Sequence, residues 1–112
     1  GASGRNGGMV LSWWPKLSSL AKICGEQEEV RLGHVSAAAV GEVGEFARAN
    51  GIDCHYVREG FLWTATAPAH VGVWEGVLRL CEAHGVDAFE RLEPAEVARR
   101  AGSGAHNSAA SV

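Results

Sequence analysis

The stretch that decides the fold is EQEEVRLGHVSAAAVGEVGEFARAN, residues 26–50. Its apolar residues recur at steps of three, four, four and three, which is the spacing of one face of a helix. We call this set the apolar stripe, and it consists of Leu32, Val35, Ala39, Val43 and Phe46. Glutamates in the first turn suit a helix start because the helix dipole favours negative charge there. The pattern therefore predicts one long helix that buries the stripe.

The end of this helix is also predicted from the sequence. Gly51 follows it, and Ile52 stands where a residue folds back onto the last turn of a glycine-terminated helix. Glycines within the helix, at positions 33, 41 and 44, each cost about 1 kcal/mol relative to alanine. Close approach of a neighbouring element would offset that cost, so we expect a packed helix rather than a solvent-exposed one.

The remaining elements are shorter. A helical turn over Ser18 to Cys24 precedes the long helix, and Gly25 stops it. β-branched and aromatic residues on both sides of Gly60, in DCHYVREGFLWTATA, predict a hairpin of two strands over residues 53–67. A second helix is predicted over residues 67–84, with Val71, Trp74, Leu78 and Cys81 buried. A strand over VDAFERL and a short helix over EPAEVARR follow.

These elements predict an α+β fold with two main helices and a small sheet of about three strands. Helices would cover one face of the sheet. A sheet this small leaves edges that another segment ought to cover. We therefore expect an incomplete piece of a larger protein. The chain divides into a glycine-rich loop and connection over residues 1–16, a helix-hairpin-helix-strand segment over 17–103, and a flexible tail without apolar periodicity over 104–112.

Composition bounds the function. The chain has 112 residues, 46% of them hydrophobic and 21% charged, as in ordinary globular domains. A net charge of -3 with scattered basic residues argues against a nucleic-acid partner. No apolar run is long enough to span a bilayer, and no secretory signal is present. Three dispersed cysteines predict reduced thiols and a cytoplasmic location.

The first eight residues, GASGRNGG, are the strongest candidate site. We call them the glycine loop. Glycines at 1, 4, 7 and 8 would let backbone N–H groups point at an anion, with Arg5 adding positive charge, Asn6 a donor and Ser3 a hydroxyl. The spacing is neither that of a Walker loop nor G-x-G-x-x-G. From spacing alone, a ligand-binding loop and a disordered terminus both stay open.

Other reactive residues give weaker signals. The five histidines never stand three or four residues apart, so no metal site is predicted. Cys54 and His55 would point to opposite faces of a strand, so we assign them no catalytic role. Trp63 and Trp74 fit a core. The doubled Trp13 and Trp14 beside the glycine loop favour an ordered opening segment, because two tryptophans suit a solvent-facing tail poorly.

Taken in order, four segments resemble the FAD-dependent oxidoreductases of the D-amino-acid oxidase superfamily. They are GASGRNGG, SWWPKL, ANGIDCHYVREGFLWTATAPA and HGVDAFERLEPAEVARRAGS. The resemblance spans about residues 1–103 and is strongest to bacterial amine and amino-acid oxidases with an A-S-G-R-N-G-G stretch. It implies a larger FAD-binding α/β flavoprotein, of which this chain would be an internal piece.

The resemblance also implies a cofactor and a site. FAD would be bound along the glycine loop, whose candidate contacts are Ser3, Gly4, Arg5, Asn6, Gly7 and Gly8. The family's G-x-G-x-x-G and acidic ribose partner would precede Gly1, and later strands would follow the last residue. The piece by itself would then be inactive, and its partner would be the remainder of the parent chain.

The implied reaction is hydride transfer from the carbon that bears an amine to the flavin, with hydrolysis of the resulting imine. The substrate would be a small amine or amino acid, and the sequence identifies no catalytic residue. The alternative hypothesis is a free-standing α+β module that binds a ligand or partner without catalysis. Its element order is one strand short of a ferredoxin-like arrangement.

Overall fold

A computed structural model gives the architecture of the chain. It describes residues 1–105 and 108–111, with side chains for residues 1–105 other than residue 3. Four α-helices and three strands follow one another: α1 Leu17–Cys24, α2 Glu26–Ala49, β1 Leu62–Ala65, α3 Glu75–Ala83, β2 Glu90–Leu92, α4 Pro94–Ala101 and β3 Ser108–Ser111. The α+β class with a small three-stranded sheet is confirmed.

The chain divides into two compact units, Gly1–Val57 and Arg58–Val112. The first unit holds α1 and α2, which pack against each other. The second holds the sheet, α3 and α4. The long helix and the sheet that the sequence predicted as layers of one fold therefore belong to separate units.

The end of α2 has the predicted form. The Ile52 N–H donates to the Ala47 carbonyl at 2.9 Å, and the Gly51 N–H donates to the Arg48 carbonyl at 3.2 Å. Gly51 has φ +64, the left-handed conformation that this termination requires. The Asn50 side chain adds a bond to the Phe46 carbonyl at 2.8 Å. The carbonyls of Phe46, Ala47 and Arg48 in the last turn are thus satisfied within the chain.

The buried face of α2 differs from the prediction. Val35, Val43 and Phe46 of the apolar stripe are 52%, 43% and 65% exposed. The buried positions of α2 are Glu29, Gly33, Gly44 and Ala47. Two of these four are glycines, and aromatic rings lie on both. The close packing expected at the glycines of this helix is therefore present, but it uses a different face from the apolar stripe.

Two aromatic side chains occupy the glycine positions. A Cβ at Gly33 would lie 2.3 Å from a ring atom of Trp14, and one at Gly44 would lie 2.4 Å from a ring atom of Tyr56. Both separations are shorter than any that real Cβ atoms show. The Tyr56 hydroxyl also donates to the Val40 carbonyl at 2.5 Å. The rings reach the helix backbone because no side chain is in the way.

The predicted hairpin is wrong. Residues 53–60 form no regular secondary structure, and β1 pairs with β3 instead, in the antiparallel register Leu62 to Ser111 and Ala65 to Ser108. His55 has φ +51, which interrupts the extended backbone that a strand needs. The sequence predicts Tyr56 in the first strand, but its ring packs on α2 and its hydroxyl donates to an α2 carbonyl.

The tail also differs from the prediction. Ser108–Ser111 form β3, the central strand, which pairs antiparallel with both β1 and β2. A run of serine and alanine carries no apolar alternation, so the sequence offers no strand signal there. Two neighbouring strands supply backbone hydrogen bonds whatever the side chains are. The predicted tail also includes residues 106, 107 and 112, which lie outside the described residues.

The second unit has its core between the sheet and the two helices. Ala65 of β1 packs with Trp74 and Leu78, and Trp63 and Phe89 lie against this cluster. A second cluster joins Leu92 and Val97, with Leu62 against it. The core positions predicted at Trp74, Leu78 and Cys81 are confirmed as buried.

The second helix is shorter than predicted. Val71, expected in its buried face, is 54% exposed. Gly72 has φ +81, a left-handed conformation that breaks the helical path. A 3-10 turn over Pro68–His70 therefore stands alone, and α3 begins only at Glu75. The predicted third strand is likewise reduced to Glu90–Leu92.

One ion-pair cluster on α4 yields a pH prediction. Hydrogen bonds from Arg99, and to a smaller extent from Arg100, lower the pKa of Glu96 from 4.5 to about 2. A lowered folded-state pKa contributes stability that is present above the unfolded value and lost on acidification. We expect this contribution to disappear between about pH 4.5 and about pH 2, and a carboxyl NMR titration of Glu96 to show a midpoint near 2.

The matched variants are Glu96→Gln and Glu93→Gln. The first should remove this part of the pH dependence of unfolding. The second should keep it, because Glu93 forms no ion pair among the described residues. A Glu96 titration midpoint near 4.5 would show that the arginines do not hold the carboxylate in solution.

Candidate functional site

The glycine loop is folded by short-range backbone bonds. Ala2–Gly4 form a single 3-10 turn, in which the Gly4 N–H donates to the Gly1 carbonyl at 3.2 Å. The Arg5 N–H donates to the Ala2 carbonyl at 3.1 Å. Beyond the turn, Asn6 Oδ1 accepts a bond from the Gly8 N–H at 2.8 Å. Gly8 has φ +72, so this last bend requires a residue that tolerates the left-handed region.

Every residue from Gly4 to Gly8 is exposed. The loop therefore presents its backbone at the surface of its unit. Arg5 carries the positive charge of the loop, and among the described residues no carboxylate forms an ion pair with it. The predicted Ser3 hydroxyl lies outside the described side chains. The loop thus combines a side-chain-poor backbone with a cation that is available to an anionic group.

Three glycines of the loop, at positions 1, 4 and 7, have neither a positive φ nor a close packing partner among the described residues. Gly33 and Gly44 make room for aromatic rings, and several other glycines adopt positive φ. Gly4 does neither, since its φ is not positive and a Cβ there would have nothing within 4 Å. Gly7 is similar, with only Met9 Cε at 3.9 Å. Gly1 and Gly104 share this property.

The segment after the loop is anchored to α2. Trp14 is 5% exposed, and its ring lies on Gly33 and edge-on to His34, with ring centroids 4.8 Å apart. Trp13 is 49% exposed, but its backbone N–H donates to Ser36 Oγ at 2.9 Å. The doubled tryptophan therefore belongs to an ordered segment, as the sequence predicted.

The cysteines and the described histidines form no metal-binding group. Cys24 and Cys54 are exposed and Cys81 is buried, with no disulfide between them. His55 Nδ1 lies 3.6 Å from Asp53 Oδ1, and both side chains face solvent. Within residues 1–105 and 108–111, no three histidine, cysteine or acidic side chains are grouped to hold a metal ion.

The second unit contains a cleft that the sequence did not reveal. Its volume is about 340 Å³, and its lining combines apolar residues with Glu82, Asp87 and Arg91. Arg91 is held by a two-pronged pair with Glu75, in which Nη2 and Oε2 are 2.8 Å apart. This pair lowers the pKa of Glu75 through the hydrogen bonds and raises the pKa of Arg91. The lining comes from α3, β2 and the loop between them, so no local motif could have marked it.

The chain as a whole is similar to one family of known proteins. No helix in the described part of the chain is long and apolar enough to cross a membrane. No curated protein and no solved structure matches the chain. The sequence model of one family, DAO, described as FAD dependent oxidoreductase, matches residues 1–111. This match supports an oxidoreductase over a module without catalysis. Because it covers nearly the whole length, the chain belongs to the DAO family of FAD-dependent oxidoreductases.

Proposed function

We propose that the glycine loop binds FAD and that the protein oxidises an amine or amino acid by hydride transfer to the flavin. The contacts we assign to the cofactor are Ser3, Gly4, Arg5, Asn6, Gly7 and Gly8. The family is FAD dependent, so the protein needs a segment whose backbone can approach a dinucleotide. The assignment is carried by a combination that the loop alone offers among the described glycines: exposed backbone at Gly4 and Gly7, which pack against no described side chain but the Met9 tip, next to an exposed arginine that forms no ion pair with a described carboxylate.

The residues of the loop fit this role. A ligand laid against Gly4 and Gly7 would meet backbone rather than a Cβ. The N–H groups of Gly4, Arg5 and Gly8 already donate within the loop, so the proposed contact is close approach to the backbone rather than hydrogen bonds from those three amides. Among the described residues, only the tip of Met9 comes near the space beside Gly4 and Gly7, 3.9 Å from a Cβ at Gly7. A glycine costs conformational entropy on folding, so its presence at a position without a packing role needs another reason. Close approach of a ligand to the backbone would be such a reason.

The charged and polar residues have separate roles in the proposal. The Arg5 guanidinium would pair with the pyrophosphate, since it is exposed and has no carboxylate partner among the described residues. Asn6 would shape the loop, because its Oδ1 holds the Gly8 N–H. FAD, when bound, supplies the hydride acceptor. The loop itself binds and orients, and we assign no proton transfer to its residues.

The substrate class rests on the sequence resemblance. The A-S-G-R-N-G-G stretch is similar to that of amine and amino-acid oxidases, in which hydride leaves the carbon that bears the amine. Loss of hydride from that carbon gives an imine, which water hydrolyses to a carbonyl compound and ammonia or a second amine. We propose that the complete protein acts on this class, and that the piece described here needs the remainder of its parent chain to do so.

A first prediction tests the backbone contact. Gly4→Ala should leave stability unchanged or raise it by about 0.4–1 kcal/mol, because the new Cβ meets open space and the unfolded chain loses freedom. If the backbone lies against FAD, the same Cβ should weaken FAD binding by about tenfold or more, equivalent to about 1.4 kcal/mol. Flavin fluorescence titration of the complete enzyme measures the affinity, and denaturant unfolding measures the stability.

The matched control is Gly104→Ala. A Cβ there also has nothing within 4 Å, and the residue lies outside the loop. Its FAD affinity should equal that of the wild type. If Gly4→Ala binds FAD as tightly as Gly104→Ala does, no cofactor backbone contact exists at Gly4.

A second prediction concerns charge. Arg5→Ala should weaken FAD binding by about ten- to a hundredfold, the range expected for a lost charge-assisted hydrogen bond of about 1.5–3 kcal/mol. It should also make the affinity less dependent on salt, since one ion pair is gone. The fold should be unaffected because the side chain is exposed. Arg48→Ala removes another exposed arginine, in α2, and should change neither property. Equal affinities in the two variants would remove Arg5 from the site.

A third prediction concerns the substrate. Under anaerobic conditions, amines or amino acids should bleach the flavin absorbance of the complete enzyme and yield a carbonyl product. The corresponding 2-hydroxy acids, which lack the amine, should leave the spectrum unchanged. Bleaching by the hydroxy acids alone would keep the FAD-dependent activity and reject the proposed substrate class.

A further inference from the structure

We propose that Gly33 and Ser36 of α2 position the glycine loop for FAD by anchoring the two tryptophans that follow it. The inference rests on the proposed binding of FAD by the loop. Neither α2 residue belongs to the candidate contacts. Their role would be to fix where the loop lies, and they are positioning residues in that sense.

The first anchor is a ring packed on a helix backbone. The Trp14 ring covers Gly33 so closely that a Cβ there would lie 2.3, 2.6 and 2.8 Å from three of its atoms. Atoms nearer than 3.0 Å to a Cβ force something to shift. Here the atoms belong to a rigid ring that is 5% exposed, so it has little room to move. Gly33 therefore fixes the depth at which Trp14 sits.

The second anchor is a hydrogen-bond relay. The Trp13 N–H donates to Ser36 Oγ at 2.9 Å, and the Ser36 hydroxyl donates to the Gly33 carbonyl at 2.8 Å. Ser36 stands one turn after Gly33 on the same helix. Main chain at Trp13 and side chain at Trp14 are thus bound to the same turn of α2. Two adjacent attachment points fix direction as well as position.

The loop depends on this attachment for its placement. The bonds described inside the loop join residues two or three apart, and they give it shape without tying it to a helix. Met9, Val10 and Leu11, which connect it to the tryptophans, are 76%, 48% and 47% exposed. A binding constellation must be held within about 0.5 Å of its productive geometry. Because only residues 9–12 separate the loop from Trp13, we expect a displacement of the tryptophans to change where the loop lies.

The same helix offers a matched control at Gly44. A Cβ there would lie 2.4, 2.7 and 2.8 Å from ring atoms of Tyr56. The clash is nearly the same as at Gly33, and it lies on the same buried face of α2. Tyr56 follows the helix and is not continuous with the glycine loop. Gly44→Ala therefore damages packing to a similar degree without disturbing the tryptophan anchor.

The experiment compares Gly33→Ala with Gly44→Ala in the complete FAD-loaded enzyme. Both should lower the denaturant midpoint by similar amounts. Gly33→Ala should also raise the FAD dissociation constant by about tenfold or more and change the visible circular dichroism of the flavin. Gly44→Ala should leave the dissociation constant within about twofold and the spectrum unchanged. Equal effects of the two variants on FAD would overturn the positioning role.

A milder variant covers the case in which Gly33→Ala does not fold. Ser36→Ala removes the acceptor of the Trp13 N–H and adds no volume, and alanine favours the helix. It should weaken FAD binding several-fold and lower the unfolding midpoint less than Gly33→Ala does, because it introduces no clash. Ser19→Ala, at an exposed serine of α1, serves as its control. Unchanged FAD affinity in Ser36→Ala would overturn the relay.

A second-site substitution separates positioning from general damage. In Gly33→Ala/Trp14→Phe the ring loses its outer atoms, which makes room for the new Cβ. FAD affinity should recover relative to Gly33→Ala, and no recovery would count against the anchor. If Gly4→Ala and Arg5→Ala weaken FAD binding but the α2 variants do not, the loop assignment stands and the positioning role falls. If Gly4→Ala and Arg5→Ala bind FAD normally, both proposals fall.

Discussion

An aromatic ring can approach a helix backbone closely only where the helix has no Cβ, and α2 meets this condition twice on one face. Trp14 uses Gly33 and Tyr56 uses Gly44, each at a distance that an alanine would forbid. Large rings supply much of the apolar area that a small unit can bury. The segments before α1 and after α2 are both held in this way, so the organisation of the first unit depends on two missing methyl groups.

This constraint explains why α2 turns its apolar stripe outward. A helix can present only one face to the rings, and the face that admits them is the one with Gly33 and Gly44 rather than the one with Val35, Val43 and Phe46. All of the stripe except the half-buried Leu32 is therefore exposed within the described part of the chain, although its spacing is that of a buried face. Periodicity measures where apolar residues lie, whereas close approach depends on where side chains are lacking.

The candidate site follows from the same attachment. The glycine loop has exposed backbone and an exposed arginine, with no core of its own. It is connected to a rigid element by Trp13 and Trp14, which bind to α2 through a hydrogen bond and a packed ring. If the loop contacts FAD as proposed, this attachment would set where the loop lies. Packing of the tryptophans on α2 and the proposed cofactor binding would then be linked through two adjacent residues.

The sequence alone determined the long helix and its glycine termination, the buried Trp74, Leu78 and Cys81, and the candidate loop, because these depend on local spacing and on residues with special backbone freedom. The DAO resemblance was likewise carried by short ordered motifs. Only the tertiary structure decided that Tyr56 leaves the predicted hairpin for α2, and that Ser108–Ser111 become the central strand. Both outcomes depend on partners distant in sequence. The Tyr56 ring packs where α2 has no side chain, and a strand without alternating apolar residues is stabilised by backbone hydrogen bonds to two neighbouring strands.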